Sequence, residues 1–110
     1  MEIKFTARRF RAREELREHA LEAVKKLGRF YDGIVSADII LSYERQTNSV
    51  KAAEINLHVH GTILSAHERT DDYYKSVDAA AEKLSAQLAR YKARVRAKDK
   101  VTVRRMKAKE

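Results

Sequence analysis

The amino-acid sequence predicts a two-layer α+β domain of order β-α-β-β-β-α: a four-stranded, mainly antiparallel sheet with two helices on one face. Three observations carry this. Residues 34–44, 50–60 and 63–68 alternate apolar and polar side chains, the period of strands with one dry and one wet face. Residues 13–31 and 71–98 carry apolar side chains at helical spacing. The spacers Gln46-Thr-Asn-Ser49 and Gly61-Thr62 have the composition of tight turns, which join antiparallel neighbours.

Taken in order, residues 2–6 set Ile3 and Phe5 against Glu2 and Lys4, a short first strand. Arg8, Arg9, Arg11 and Arg13 crowd the connection that follows. The first helix carries Leu16, Ala20, Ala23, Val24 and Leu27 on one face. Glu14, Glu15 and Glu18 lead it and Lys25, Lys26 and Arg29 close it, which suits the helix dipole. It has no Ser, Thr, Asp or Asn at its start, so its boundary is soft. Gly28 and Gly33 bracket its end.

In the second strand Val35, Ala37, Ile39, Leu41 and Tyr43 share a face, against Asp38, Ser42 and Glu44. In the third, Ala53, Ile55, Leu57 and Val59 oppose Glu54, Asn56, His58 and His60. The fourth turns Leu64 and Ala66 inward. Thr70 is then placed to cap the second helix, with Asp71 and Asp72 in its first turn. Its apolar stripe is Tyr74, Val77, Ala81, Leu84, Leu88, Tyr91 and Val95. Run from Asp71 to Lys98, this helix is ~40 Å long at ~1.5 Å per residue. A domain of this size has a radius of gyration near ~13 Å, so the last turns reach or pass the sheet edge. Residues 1–98 are therefore read as one domain, and 99–110, without usable periodicity, as a basic flexible tail.

Charge placement narrows the function. The net charge of +8 is absent from residues 1–89, where fourteen Lys/Arg meet fourteen Asp/Glu. Residues 90–110 hold ten Lys/Arg against Asp99 and Glu110 and carry all of it. A neutral body with a concentrated basic end points to a polyanionic partner, with a merely solvated tail as the alternative. There is no Cys, which excludes disulfides and thiolate metal sites. No stretch approaches the ~20 apolar residues of a membrane span, and the N-terminus lacks a signal-peptide run, so a cytoplasmic protein without membrane contact is expected.

The main constellation lies on the second helix. Lys83, Gln87, Arg90 and Arg94 follow i, i+4, i+7, i+11 and share a stripe beside the apolar seam. Lys92, Arg96 and Lys98 are read as widening it. A rigid row of cations can meet several phosphates of structured RNA, releasing counterions at each. Arg8 and Arg9, with no acid near in sequence, are further candidates for phosphate contact, and Lys25 and Lys26 join them from the first helix. His58, His60 and His67 read as wet-face residues rather than a metal site, because no carboxylate at fixed spacing completes a ligand set. No Gly-rich phosphate loop or nucleophile elbow is present, so neither an enzyme, a cofactor nor a small-molecule substrate is expected.

The run Asp71-Asp72-Tyr73-Tyr74-Lys75-Ser76-Val77-Asp78 resembles the D-D-M-Y-A-S-I-D run of the ribosome hibernation-promoting factors. This is the family that includes ribosome-associated inhibitor A, also described as sigma-54 modulation proteins. Lys83-Leu84, Gln87-Leu88 and Arg90-Tyr91-Lys92-Ala93-Arg94-Val95 are similar to its continuation, and Lys26-Leu27…Phe30-Tyr31 to the end of its first helix. The likeness covers residues 1–98; Tyr73 and Lys75 stand where the family has Met and Ala. It implies a short form or isolated N-terminal domain. Such a domain would lie in the small-subunit channel for mRNA and tRNA, grip rRNA through Lys83, Gln87, Arg90, Lys92 and Arg94, and be monomeric off the ribosome. Asp72, Tyr74 and Asp78 also match motif positions, with packing the simpler role for Tyr74. The competing reading is a generic double-stranded RNA-binding module, whose α-β-β-β-α order lacks the first strand.

Overall fold

The structure is a computed structural model that describes the backbone of residues 1–45 and 50–109 and side chains through residue 97. Its elements are β1 (Glu2–Arg8), α1 (Glu14–Phe30), β2 (Ile34–Glu44), β3 (Val50–Val59), β4 (Thr62–Thr70) and α2 (Tyr73–Lys109). The polar turn expected at 46–49 lies outside the described residues. The sheet has the order β1-β2-β3-β4. β2, β3 and β4 pair antiparallel, while β1 runs parallel to β2, with Ile3 opposite Ala37 and Phe5 opposite Ile39. A parallel pair needs a crossover, and α1 supplies it. The fold is the expected one.

Both helices cover the dry face, α2 over β3 and β4 and α1 over β1 and β2. The core lies between, with Val24, Ile39, Leu41, Ile55, Leu57, Val77, Leu84 and Leu88 fully buried. Alternation along each strand is what delivers these side chains to one face.

Three expected positions shift by one residue. At the start of β2 it is Ile34 that is buried, while Val35 is 67% exposed. A register irregularity between Ile34 and Ser36 adds one residue there and flips the alternation. On α2, Tyr73 rather than Tyr74 is buried, and Ala80 rather than Ala81. The Tyr73 ring stacks on Phe10 at 4.3 Å, and the Lys51 ammonium lies 5.7 Å from its centroid. Burial pushes the Tyr73 phenol up to about 12. Two adjacent tyrosines and three adjacent alanines are equivalent in hydropathy; only these tertiary partners choose between them.

The cap of α2 also differs. Asp72, not Thr70, accepts from the Tyr74 amide at 2.8 Å. Thr70 instead shapes the approach: its Oγ1 accepts from the Asp72 amide and lies 2.7 Å from both the Asp72 carbonyl and Ser76 Oγ. Asp72 thus serves as the cap, and Asp71 stands before it. The backbone of α2 continues as helix to Lys109, past residue 98 where the sequence suggested a tail. The molecule is accordingly elongated, 63 × 24 × 17 Å, with a radius of gyration of 17.1 Å.

Candidate nucleic-acid interface

Both helices start at the same end of the sheet and run the same way, since α1 follows the C-terminal end of β1 and α2 that of β4. The basic last turns of α1 therefore lie beside the basic stretch of α2 around Lys92, while α2 itself runs on to Lys109. Lys92 Nζ reaches the Phe30 carbonyl at 3.4 Å and lies 5.0 Å from the Phe30 ring centroid, which joins the basic end of α1 to this stretch of α2. Lys25 and Lys26, both exposed, sit one turn back on α1. Arg90, Arg94 and Arg96 are exposed on α2 at the same end. Arg90 and Arg94 pair with no carboxylate among the described residues.

The stripe is less uniform than its spacing suggests. Lys83 is ion-paired with Glu68 of β4. Gln87 Nε2 donates to the Ser65 carbonyl at 2.9 Å. These two tie α2 to the edge strand, and Arg90 and Arg94 continue the row beyond them. Lys92 does not widen that row. It lies across the seam, on the flank facing α1, so the basic end presents cations on both sides of the helix. Arg8 and Arg9 are exposed at the opposite end of the sheet, about 26 Å from Ile34 by eight residues of strand rise. They border a small cleft with Ser42, Tyr43 and Glu44. Arg9 holds φ 66°, a left-handed backbone uncommon outside glycine. The structure thus gathers Lys25, Lys26, Arg90, Lys92 and Arg94 at one end and leaves Arg8 and Arg9 apart.

The histidines are dispersed. His58 Nε2 is 3.0 Å from Asp38 Oδ2, and His67 stands opposite Glu54 in the strand register. No three metal-ligating side chains group among the described residues. No helix is long and apolar enough to cross a membrane.

The model of the family described as Sigma 54 modulation protein / S30EA ribosomal protein matches residues 3–96. The chain belongs to this family. A ribosome hibernation promoting factor of Azotobacter vinelandii is 28% identical over 92 residues, 84% of this chain and 83% of that protein. A ribosome hibernation promotion factor of Staphylococcus aureus (strain COL) is 28% identical over 87 residues, 79% of this chain but 46% of its own length. Among solved structures, a ribosomal subunit interface protein from Coxiella burnetii superposes with a TM-score of 0.76 at 29% identity, covering 84% of this chain and 99% of that one. The N-terminal domain of Thermus thermophilus Protein Y gives 0.72 at 25%, covering 83% and 99%.

In this family member the run at 71–78 is largely what docks α2. Asp72 caps the helix, and Val77 enters the core. Ser76, fully buried, donates to the Lys51 carbonyl at 2.7 Å. Asp78 meets His19 of α1 at 2.7 Å, and the Tyr74 ring lies edge-on to His19 at 4.9 Å. His19 and Glu68, the partners of Asp78 and Lys83, are residues that sequence reasoning missed. Both lie far from their partners along the chain, and no local spacing reports them.

The Glu68 pairing yields a prediction. Glu68 is only 18% exposed at its side chain and Lys83 is 63% exposed. Lys83→Ala is expected to cost about 1 kcal/mol, the low end for an acceptor left unpaired, because one partner is solvated. Adding Glu68→Gln should recover part of the loss. Thermal melting of the two variants checks this; a Lys83→Ala protein that melts with the parent would deny the pair any structural weight.

Proposed function

We propose that this chain binds ribosomes and holds them in an idle, hibernating state, occupying the small-subunit channel for mRNA and tRNA with its basic end against rRNA. The observation that carries this reading is the meeting of the basic end of α1 with the basic stretch of α2, which runs on to Lys109, in a sequence whose residues 90–110 hold the whole +8. The names of its relatives, ribosome hibernation promoting factor and ribosomal subunit interface protein, support the ribosome as the partner. Lys25, Lys26, Arg90, Lys92 and Arg94 are the residues placed to meet phosphates together; Arg8 and Arg9 would touch a separate RNA element. Lys83 and Gln87 act chiefly by holding α2 on β4, which keeps Arg90 and Arg94 in row. The protein works as a binder rather than a catalyst, in the cytoplasm where ribosomes are, and needs no small molecule or membrane.

The test is sedimentation with separated and joined ribosomal subunits, combined with chemical probing of rRNA in the decoding region. Protection there, at the small subunit, is the expected result. Equal affinity for arbitrary duplex RNA without such protection would replace this reading with that of a generic RNA-binding module.

Binding should also fall steeply with salt. Each neutralised phosphate contributes nearly one unit to the slope of log affinity against log salt. Five or so contacts should therefore weaken binding by orders of magnitude between ~50 and ~200 mM salt. An affinity indifferent to salt over this range would rule out the phosphate grip.

A further inference from the structure

Where α2 leaves the sheet, the β3–β4 hairpin and the helix part and leave an open cleft of about 680 Å³. Such a volume lies within the ~300–1,000 Å³ of small-ligand clefts. Its floor is apolar: Leu64 and Tyr91 are buried and Val95 is half-buried. The Tyr91 hydroxyl is already committed, donating to the His60 carbonyl at 2.7 Å. The Tyr91 and Tyr31 rings also meet edge to face with centroids 5.7 Å apart, so the Tyr91 ring is fixed in place. The rim is polar and adaptable, formed by His60 and Thr62 on one side and Arg94 on the other. Gly61, at φ 84° with nothing near its missing side chain, leaves the hairpin tip low and open.

This combination does not suit a phosphate alone, which gains nothing from Leu64, Val95 or a tyrosine body. A long duplex is equally unsuited, because its bases are stacked inward and only its backbone reaches a protein surface. The chemistry that matches is a planar aromatic ring joined to a phosphate: an unpaired nucleotide. Its base would lie on the apolar floor under the Arg94 guanidinium, which stacks on bases as well as binding phosphate. Its flanking phosphates would continue onto Arg90, exposed and without a carboxylate partner among the described residues.

We propose that the hairpin–α2 cleft captures one unpaired RNA base, so that the basic end reads single-stranded or bulged RNA rather than only its charge. The inference rests on the ribosome-binding reading above and deepens it. Phosphate contacts supply affinity, and the cleft selects where along the RNA the protein settles.

The chain has no Cys, so a single introduced thiol labels one place. Thr62→Cys, on the exposed rim, and Ala93→Cys, exposed on α2 away from the seam, are each coupled to a thiol-reactive aryl azide. Each labelled protein is bound to small ribosomal subunits and irradiated, and crosslinked nucleotides are mapped by reverse transcription. From Thr62→Cys the expected result is one dominant crosslink at an unpaired nucleotide, at least tenfold above its yield from Ala93→Cys. Adding Val95→Asp, which places a carboxylate on the floor, should lower that crosslink at least tenfold per bound protein. Three outcomes overturn the proposal with binding intact: crosslinks spread over duplex RNA, a crosslink to a ribosomal protein instead, or a yield unchanged by Val95→Asp. If neither labelled protein sediments with subunits, it is the ribosome-binding reading that fails, and the two failures are thereby distinguished.

Discussion

A protein carrying Arg90→Ala and Arg94→Ala is expected to fold and melt like the parent yet bind ribosomes roughly a hundredfold more weakly. Both side chains are exposed and neither pairs with a carboxylate among the described residues. Surface changes of this kind shift stability by no more than about 0.5 kcal/mol each. The effect on binding is larger because a charge-assisted contact contributes about 1.5 kcal/mol, close to a factor of ten, and two are lost. The salt slope should fall by about two units, one per contact. Lys83 is left in place in this variant, since its pairing with Glu68 would mix a stability effect into the binding measurement. Melting, ribosome sedimentation at several salt concentrations and inhibition of a cell-free translation extract together read the outcome. Parental inhibition by the double variant would mean that these arginines are only a solvated face. The functional surface would then have to lie around Arg8 and Arg9, at the far end of the sheet.

The fold was legible because its strands obey period two almost without interruption, and each helix carries one apolar face. Ala37, Ile39 and Leu41 on β2 and Ala53, Ile55, Leu57 and Val59 on β3 are buried as their alternation requires. What the pattern could not resolve is local. The irregularity at Ile34–Ser36 depends on the pairing with β3, and Tyr73 is chosen over Tyr74 by Phe10, which lies on the other side of the domain's sequence.

The binding end was legible in part, through the absence of acids between Glu82 and Asp99. Helical spacing placed Arg90 and Arg94 in one row. It could not show that Gln87 turns to the Ser65 carbonyl, or that Lys92 crosses to Phe30. A hydrophilic residue beside a seam has two choices, solvent or the neighbouring element, and sequence periodicity contains no information about that neighbour. The same holds for the run at 71–78. Its conspicuous residues, Asp72, Ser76 and Asp78, spend their hydrogen bonds on capping and docking the helix that carries the arginines.

That division between docking and binding makes Leu84→Ala the complementary experiment. Leu84 is fully buried at the middle of the α2 seam, between Ala80 and Leu88. Truncating it removes transfer energy and leaves a cavity, a cost of roughly 2–5 kcal/mol where the site cannot collapse. Collapse is hindered here: the neighbouring turns of α2 are held by the Ser76 bond to the Lys51 carbonyl and by the Tyr91 bond to the His60 carbonyl. A loss near the upper end is a large share of the ~5–15 kcal/mol that stabilises a small domain. Melting should therefore fall by many degrees. At a temperature where Leu84→Ala is still folded, however, Arg90 and Arg94 stand in the same row, and binding per folded molecule should be close to parental. Binding should then vanish along the melting curve rather than before it, the reverse of the arginine variant. Binding already lost at temperatures where circular dichroism shows a fully folded protein would mean that α2 must be rigid, and not merely docked, to present its cations.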